Sequence, residues 1–104
     1  MIQTTILFQT FKRPDACRKL VDSIKQYYPE HYPSFVIIND DSEHDRGLSW
    51  GRNFLVSQAK TKYVLIIDDD TVFTEHTNLQ RLEDIMDSTD LDILGFECGF
   101  DYIG

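Results

Sequence analysis

The sequence predicts an α/β fold, a three-layer sandwich on a mostly parallel sheet, and three observations carry that reading. Strand-like and helix-like segments alternate along the chain. The stretch Tyr63 to Ile67 contains five consecutive apolar residues with no polar alternation, as for a central strand covered on both faces. Two separate apolar runs end in carboxylates, Asp40 and Asp41 after one, Asp68, Asp69 and Asp70 after the other. Acid therefore gathers at one end of the expected sheet.

Each element follows from local pattern. Thr4 to Gln9 is rich in β-branched and aromatic residues and reads as the first strand, stopping at Thr10-Phe11-Lys12-Arg13. Pro14 suits a first helical position. From there Cys17, Leu20, Val21, Ile24 and Tyr28 recur at helical spacing until Pro29 forbids continuation. Phe35 to Asn39 is the second strand and runs into Asp40 and Asp41, with Asp45 shortly beyond. A loop at Arg46 to Ser49 follows, with Ser49 capping a helix from Trp50 to Ala59. The organising strand comes next. Thr77-x-x-Gln80 forms a capping-box pattern, and Leu79, Leu82, Ile85 and Met86 make the apolar stripe of a third helix. Leu91 to Phe96 is a fourth strand, and Glu97 to Gly104 carries no readable structure. Right-handed crossovers then set the first strand between the second and third, a Rossmann-like arrangement.

Composition bounds the function. A chain of 104 residues with 41% hydrophobic content supports a modest single core. A formal net charge of −8 repels phosphate backbones and argues against nucleic acid or anionic membrane as partners. No apolar run approaches the ~20 residues of a membrane span. The N-terminus enters a strand pattern without a signal peptide, so a cytoplasmic protein and an excised luminal domain both fit. Cys17 and Cys98 are too few and too distant for a disulfide framework or a zinc site. His31, His44 and His76 show no metal spacing.

In an extended strand Asp68 and Asp70 share one side and Asp69 takes the other, the outer pair about 6 to 7 Å apart at the backbone. Such a pair of hard oxygen donors suits a divalent cation, which relieves their mutual repulsion. The same acids also fit a solvated turn after a strand. Asp68-x-Asp70-x-Val72 further looks like the nucleophile motif of haloacid-dehalogenase-type phosphatases, in which Asp68 would be phosphorylated. That family carries the motif on its first strand and needs a downstream Lys, and none follows Lys62. Ligands of parallel α/β sheets bind outside the carboxyl ends of the strands, where strand order reverses. Thr10 to Arg13, Asp40, Asp41 and Asp68 to Asp70 are thereby expected around one crevice.

These segments, in this order, resemble the nucleotide-binding half of a GT-A type, family 2-like glycosyltransferase. The resemblance rests on Thr10-Phe11-Lys12-Arg13 after the first strand and on Ile38-Asn39-Asp40-Asp41-Ser42. It continues through Gly51-Arg52-Asn53 opening a helix and Lys62 to Asp70. Trp50 to Asn53, Val56-Ser57-Gln58, Thr61 to Leu65 and Asp68 to Thr74 are most similar to the ganglioside-type β-1,4-N-acetylgalactosaminyltransferases.

The resemblance implies a UDP-sugar donor and a divalent metal, manganese or magnesium. It implies inverting transfer of an N-acetylhexosamine or hexose to an acceptor hydroxyl. Asp70 would hold the metal against the diphosphate, with Asp68 on the ribose or on the metal through water, and Asp69 in the same donor-binding set. Asp40 or Asp41 would hydrogen-bond the uracil, Thr10 would line its pocket, and Arg52 and Asn53 would flank the nucleotide. Lys12 and Arg13 would assist near the phosphates or form a solvated helix start. The family pattern has Gly where Ser42 stands, and the stretch from Asp41 to Gly51 is shorter. Family members continue into an acceptor-binding half that supplies the catalytic base. Residues 1–104 therefore read as a single truncated or minimal nucleotide-sugar-binding domain, either part of a transferase or a binding module without chemistry of its own. An exposed sheet edge is also expected to favour self-association.

Overall fold

The structure, a computed structural model, describes residues 2–42, 46–89 and 100–102, and for Leu48, Ser49, Arg52 and residues 100–102 the backbone alone. The elements in order are β1 (Thr4–Thr10), α1 (Pro14–Tyr27), β2 (Val36–Asp40), α2 (Leu48–Gln58), β3 (Tyr63–Ile66), β4 (Thr71–Phe73), α3 (Leu79–Asp87) and β5 (Phe100–Tyr102). A short 3₁₀ turn at Pro29–His31 follows α1. The main sheet has the order β2-β1-β3, all parallel, with Ile6 opposite both Val36 and Leu65. The expected α/β class and the central position of the first strand are both observed.

Because side chains alternate along β1, its two faces go to different layers. Ile6 and Phe8 join Leu20 and Ile24 of α1, Val36, Leu65, Phe73 and Leu79 of α3 in one buried cluster. Leu7 on the other face and Leu55 of α2 are fully buried in the layer that α2 makes over β1 and β2. Helices on both faces of a parallel sheet give the three layers. The polar anchors sit at the edges: Glu83 of α3 accepts from the Thr4 hydroxyl at 2.5 Å and the Gln3 amide at 2.8 Å. Tyr28 Oη donates to the Thr77 carbonyl and accepts the Leu79 N–H, which pins the start of α3 to the end of α1.

Several expectations are corrected. The organising strand β3 lies at the edge of the described sheet, beside β1 alone, with Val64 40% and Ile66 43% exposed. Its apolar run reflects one covered face, that of Leu65, and not two. The chain after the acids turns into β4, which pairs antiparallel with β5 as Thr71 opposite Tyr102 and Phe73 opposite Phe100. Neither strand was expected, and β5 lies within a stretch that has no readable sequence pattern. Helix α2 starts at Leu48 with Gly47 as its N-cap at φ 92°, not with Ser49 as cap. A positive φ favours glycine, which explains the choice. At α3 the cap is Asn78, whose side chain accepts the Arg81 N–H at 3.0 Å, while Thr77 Oγ1 accepts the Thr74 N–H. His31, expected in a loop, is buried in the 3₁₀ turn with Nε2 at 2.8 Å from the Thr4 carbonyl. The expected fourth strand Leu91 to Phe96, Cys98 and His44 lie outside the described residues. No helix among the described residues is long and apolar enough to cross a membrane.

Candidate functional site

The chain leaves β1 through α1 on one face and leaves β2 through α2 on the other, so its winding reverses at the carboxyl end of β1. That is where a parallel α/β sheet leaves a crevice. A cleft of about 500 Å³ opens there, lined by Thr10 and Arg13 after β1, Asp41 and Gly47 after β2, and Asp68, Asp69 and Asp70 after β3. Thr10, Phe11, Arg13, Asp41 and Asp68 to Asp70 thus line one crevice as expected, whereas Lys12 and Asp40, expected with them, do not line it.

The three acids do not continue the strand. Thr71 N–H donates to the Asp68 carbonyl at 3.1 Å, closing a β-turn over residues 68–71, so the extended spacing expected for Asp68 and Asp70 does not apply. Asp68 is exposed, Asp70 half-buried, and Asp69 only 7% exposed. The middle acid turns inward. Its Oδ2 accepts the Thr10 hydroxyl at 2.9 Å, and its Oδ1 accepts Arg13 Nη1 at 3.2 Å. The flanking Asp70 has its Oδ1 buried with no hydrogen-bond partner among the described residues. A buried carboxylate oxygen without a donor is costly unless something binds it.

Asp40 and Asp41 separate in role. Asp41 is buried, with Oδ1 accepting the Arg46 N–H and Oδ2 the Gly47 N–H, both at 2.9 Å. It fixes Gly47, which lines the cleft with it. Asp40 is exposed, and hydrogen bonds from the Ser42 hydroxyl and then the Ser42 amide hold its carboxyl below the usual range. Ser42, the departure from the family pattern, also accepts the Lys12 N–H at 2.8 Å, where Lys12 adopts φ 54°. Cys17 in the first turns of α1 has its thiol pushed up by burial and then by the charges of Asp40 and Asp69.

Asn53 is exposed on α2 and does not line the cleft; of Arg52 only the backbone in α2 is described. Two cleft residues lie outside the sequence-based set. Gln9 donates through Nε2 to the Gly47 carbonyl at 3.2 Å, and Gly47 caps α2. Gly51 allows that contact, since a Cβ there would sit 1.4 Å from Gln9 Oε1. The signal was a glycine in the first turn of a helix facing the polar end of a strand, where only a close approach calls for it.

The acids of the cleft are the natural place for a divalent metal. Among the described residues no group of three or more His, Cys, Asp or Glu side chains could enclose one. Asp68 and Asp70 nevertheless offer hard oxygen donors, one of them buried and unpaired, at an open cleft. That suits cations such as magnesium or manganese, which keep waters and substrate phosphates in their shell and use only one or two carboxylates.

Comparison with known proteins adds the family. The family model "Glycosyl transferase family 2" matches residues 12–101. The human beta-1,4 N-acetylgalactosaminyltransferase 1 is 42% identical over 107 residues, covering 88% of this chain and 20% of the relative. The mouse beta-1,4 N-acetylgalactosaminyltransferase 2 is 37% identical over 107 residues with the same coverage. The chain thus spans about a fifth of the length of the curated relatives it matches. No solved structure matches it. The family match takes in β2, β3, the acid turn and Arg13 at the mouth of the cleft, and on that ground this chain belongs to glycosyl transferase family 2.

Proposed function

We propose that this chain is the donor-binding part of a glycosyltransferase that takes a UDP-sugar, with N-acetylhexosamine or hexose as the sugar, and delivers it to an acceptor hydroxyl with inversion. The observation that carries the reading is the cleft at the carboxyl ends of β1, β2 and β3, lined by Thr10, Asp41 and the acid turn in a family 2 chain. Likeness to enzymes named as N-acetylgalactosaminyltransferases supports the choice of sugar class.

In this reading Asp70 and Asp68 hold a divalent metal, manganese or magnesium. When bound, the metal offsets the charge that builds on the leaving diphosphate. The chain's own residues do the rest. Asp41 fixes Arg46 and Gly47 on the base side of the cleft, and Asp40, exposed at the end of β2, would reach the uracil from beside it. Arg13, 59% exposed at its side chain, presents positive charge beside the acids and limits repulsion of an anionic donor. Residues 1–104 act as one nucleotide-sugar-binding unit.

The test is calorimetric titration of UDP into the folded chain with manganese, with chelator, and in Asp70→Ala. Metal-dependent binding that disappears in the variant is the expected result. A folded wild-type chain that binds no UDP under any metal condition would sink the proposal.

A further inference from the structure

Of the three consecutive acids, Asp69 is the most buried. Its two oxygens are engaged by different parts of the chain, Oδ2 by the Thr10 hydroxyl at the last residue of β1 and Oδ1 by Arg13 just before α1. The Thr10–Asp69 bond is fully buried and links residues 59 positions apart. Thr10 and Asp69 are 5% and 7% exposed, so what either can present to a ligand is small. The turn that carries Asp69 is closed by the Thr71 N–H bond to the Asp68 carbonyl. The Ile67 N–H bond to the Leu7 carbonyl and the pairing of Thr71 with Tyr102 anchor its two ends, and the side chain of Asp69 ties its middle.

We infer that Thr10 and Asp69 are positioning residues: their buried hydrogen bond, with Arg13 neutralising Asp69 from the open side, fixes the acid turn so that Asp68 and Asp70 face the cleft. The inference rests on the donor-binding reading for its functional consequence and on the geometry alone for its structural one. It separates the roles of three adjacent and chemically identical side chains. The middle acid is spent on the fold, and its charge is met by Arg13. Beside it at the cleft stand Asp68, exposed, and Asp70, half-buried. The inference also gives Thr10, which lines the cleft, the role of support for the acids. A hydroxyl donating to a carboxylate is a charge-assisted bond of the stronger kind, and its loss lets the turn sample other orientations without emptying the cleft of acid.

The experiment uses the full chain with Thr10→Val, which keeps the shape of the side chain and removes its donor, Thr10→Ser, which restores the donor, and Asp69→Ala, which removes the acceptor, with and without Thr10→Val. Two readouts are taken: amide exchange at Thr71, and UDP affinity with and without manganese. Thr10→Val is expected to speed Thr71 exchange about tenfold, the size of effect that loss of one buried charge-assisted bond gives. It should reduce the manganese-dependent gain in UDP affinity by a similar factor, and by more than it reduces metal-free UDP affinity. Thr10→Ser restores both. Adding Thr10→Val to Asp69→Ala, which removes the acceptor, has little further effect, because the two residues act as one unit. Metal-free UDP affinity that falls as far as the metal-dependent one would instead make Thr10 a direct nucleotide contact and overturn the inference. So would Thr71 exchange unchanged by Thr10→Val, or full additivity of the two substitutions. If the wild type binds no UDP, the donor-binding reading fails, and exchange at Thr71 with the same variants still decides the positioning role.

Discussion

Ser42 Oγ accepts the backbone N–H of Lys12 at 2.8 Å, and the Ser42 amide in turn donates to Asp40 at 3.0 Å. This chain of contacts joins the turn after β2 to the turn after β1. It holds Lys12 at φ 54°, a left-handed conformation that costs a non-glycine residue roughly 1 kcal/mol.

Ser42→Ala removes the acceptor for Lys12 and one donor to Asp40. The groups are exposed, so water replaces much of the loss, and urea denaturation at neutral pH should show destabilisation of about 1 kcal/mol or less. The Asp40 carboxyl should rise toward its ordinary value of 3.8. The sign follows from linkage. A carboxyl lowered in the folded state contributes stability that is present above its unfolded value and lost as pH falls through the folded one. The wild type should therefore lose stability relative to Ser42→Ala on acidification below the ordinary value. Nuclear magnetic resonance titration of Asp40 checks this, and an Asp40 titration unmoved by the substitution contradicts it.

Gly51 and Gln9 should be coupled. A methyl at residue 51 would meet Gln9 Oε1 at 1.4 Å and Gln9 Cδ at 2.3 Å, so Gly51→Ala must push the Gln9 amide away from the Gly47 carbonyl. Alanine also gains about 0.5–1 kcal/mol over glycine inside a helix. Gly51→Ala should accordingly be more favourable in a Gln9→Ala background than in the wild type, by about 1 kcal/mol in a double-mutant cycle of denaturation free energies. A coupling of zero means that Gln9 is not held beneath α2.

Asp41 is expected to matter through its loop. Asp41→Ala strips the acceptors from the Arg46 and Gly47 amides, and should cost about 2 kcal/mol of stability and speed exchange at both amides. Asp41→Asn keeps one acceptor oxygen and should cost less. Equal costs would show that charge, not acceptor geometry, is what the loop requires.

Much of the sheet was legible because its signals are local. Pro14 before a helical stripe marked α1, and the apolar runs at Phe35 and Tyr63 marked β2 and β3 within a residue or two of their observed bounds. The small antiparallel sheet was not legible. A strand of three residues such as Thr71–Phe73 has no period to detect, and its pairing with Phe100–Tyr102 is set by distant contacts. The helix starts were misplaced for a related reason. Ser49 and Thr77 have the right chemistry for caps, but Gly47 and Asn78 occupy the backbone positions where a cap is needed.

At the site, the sequence by itself determined that acids would stand at the ends of β2 and β3, and that β1 between them would bring them to one crevice. Strand alternation and crossover handedness leave little freedom there. Only the tertiary structure decided what each acid does. Asp68, Asp69 and Asp70 are the same residue type in a row, and what distinguishes them is which oxygen a distant donor reaches. Thr10 and Arg13 reach Asp69, backbone amides reach Asp41, and Asp70 keeps a buried oxygen unmatched among the described residues. Hydrogen bonds act only over about 3 Å, so such differences arise where the folded chain brings distant residues into contact, and they leave no trace in local sequence.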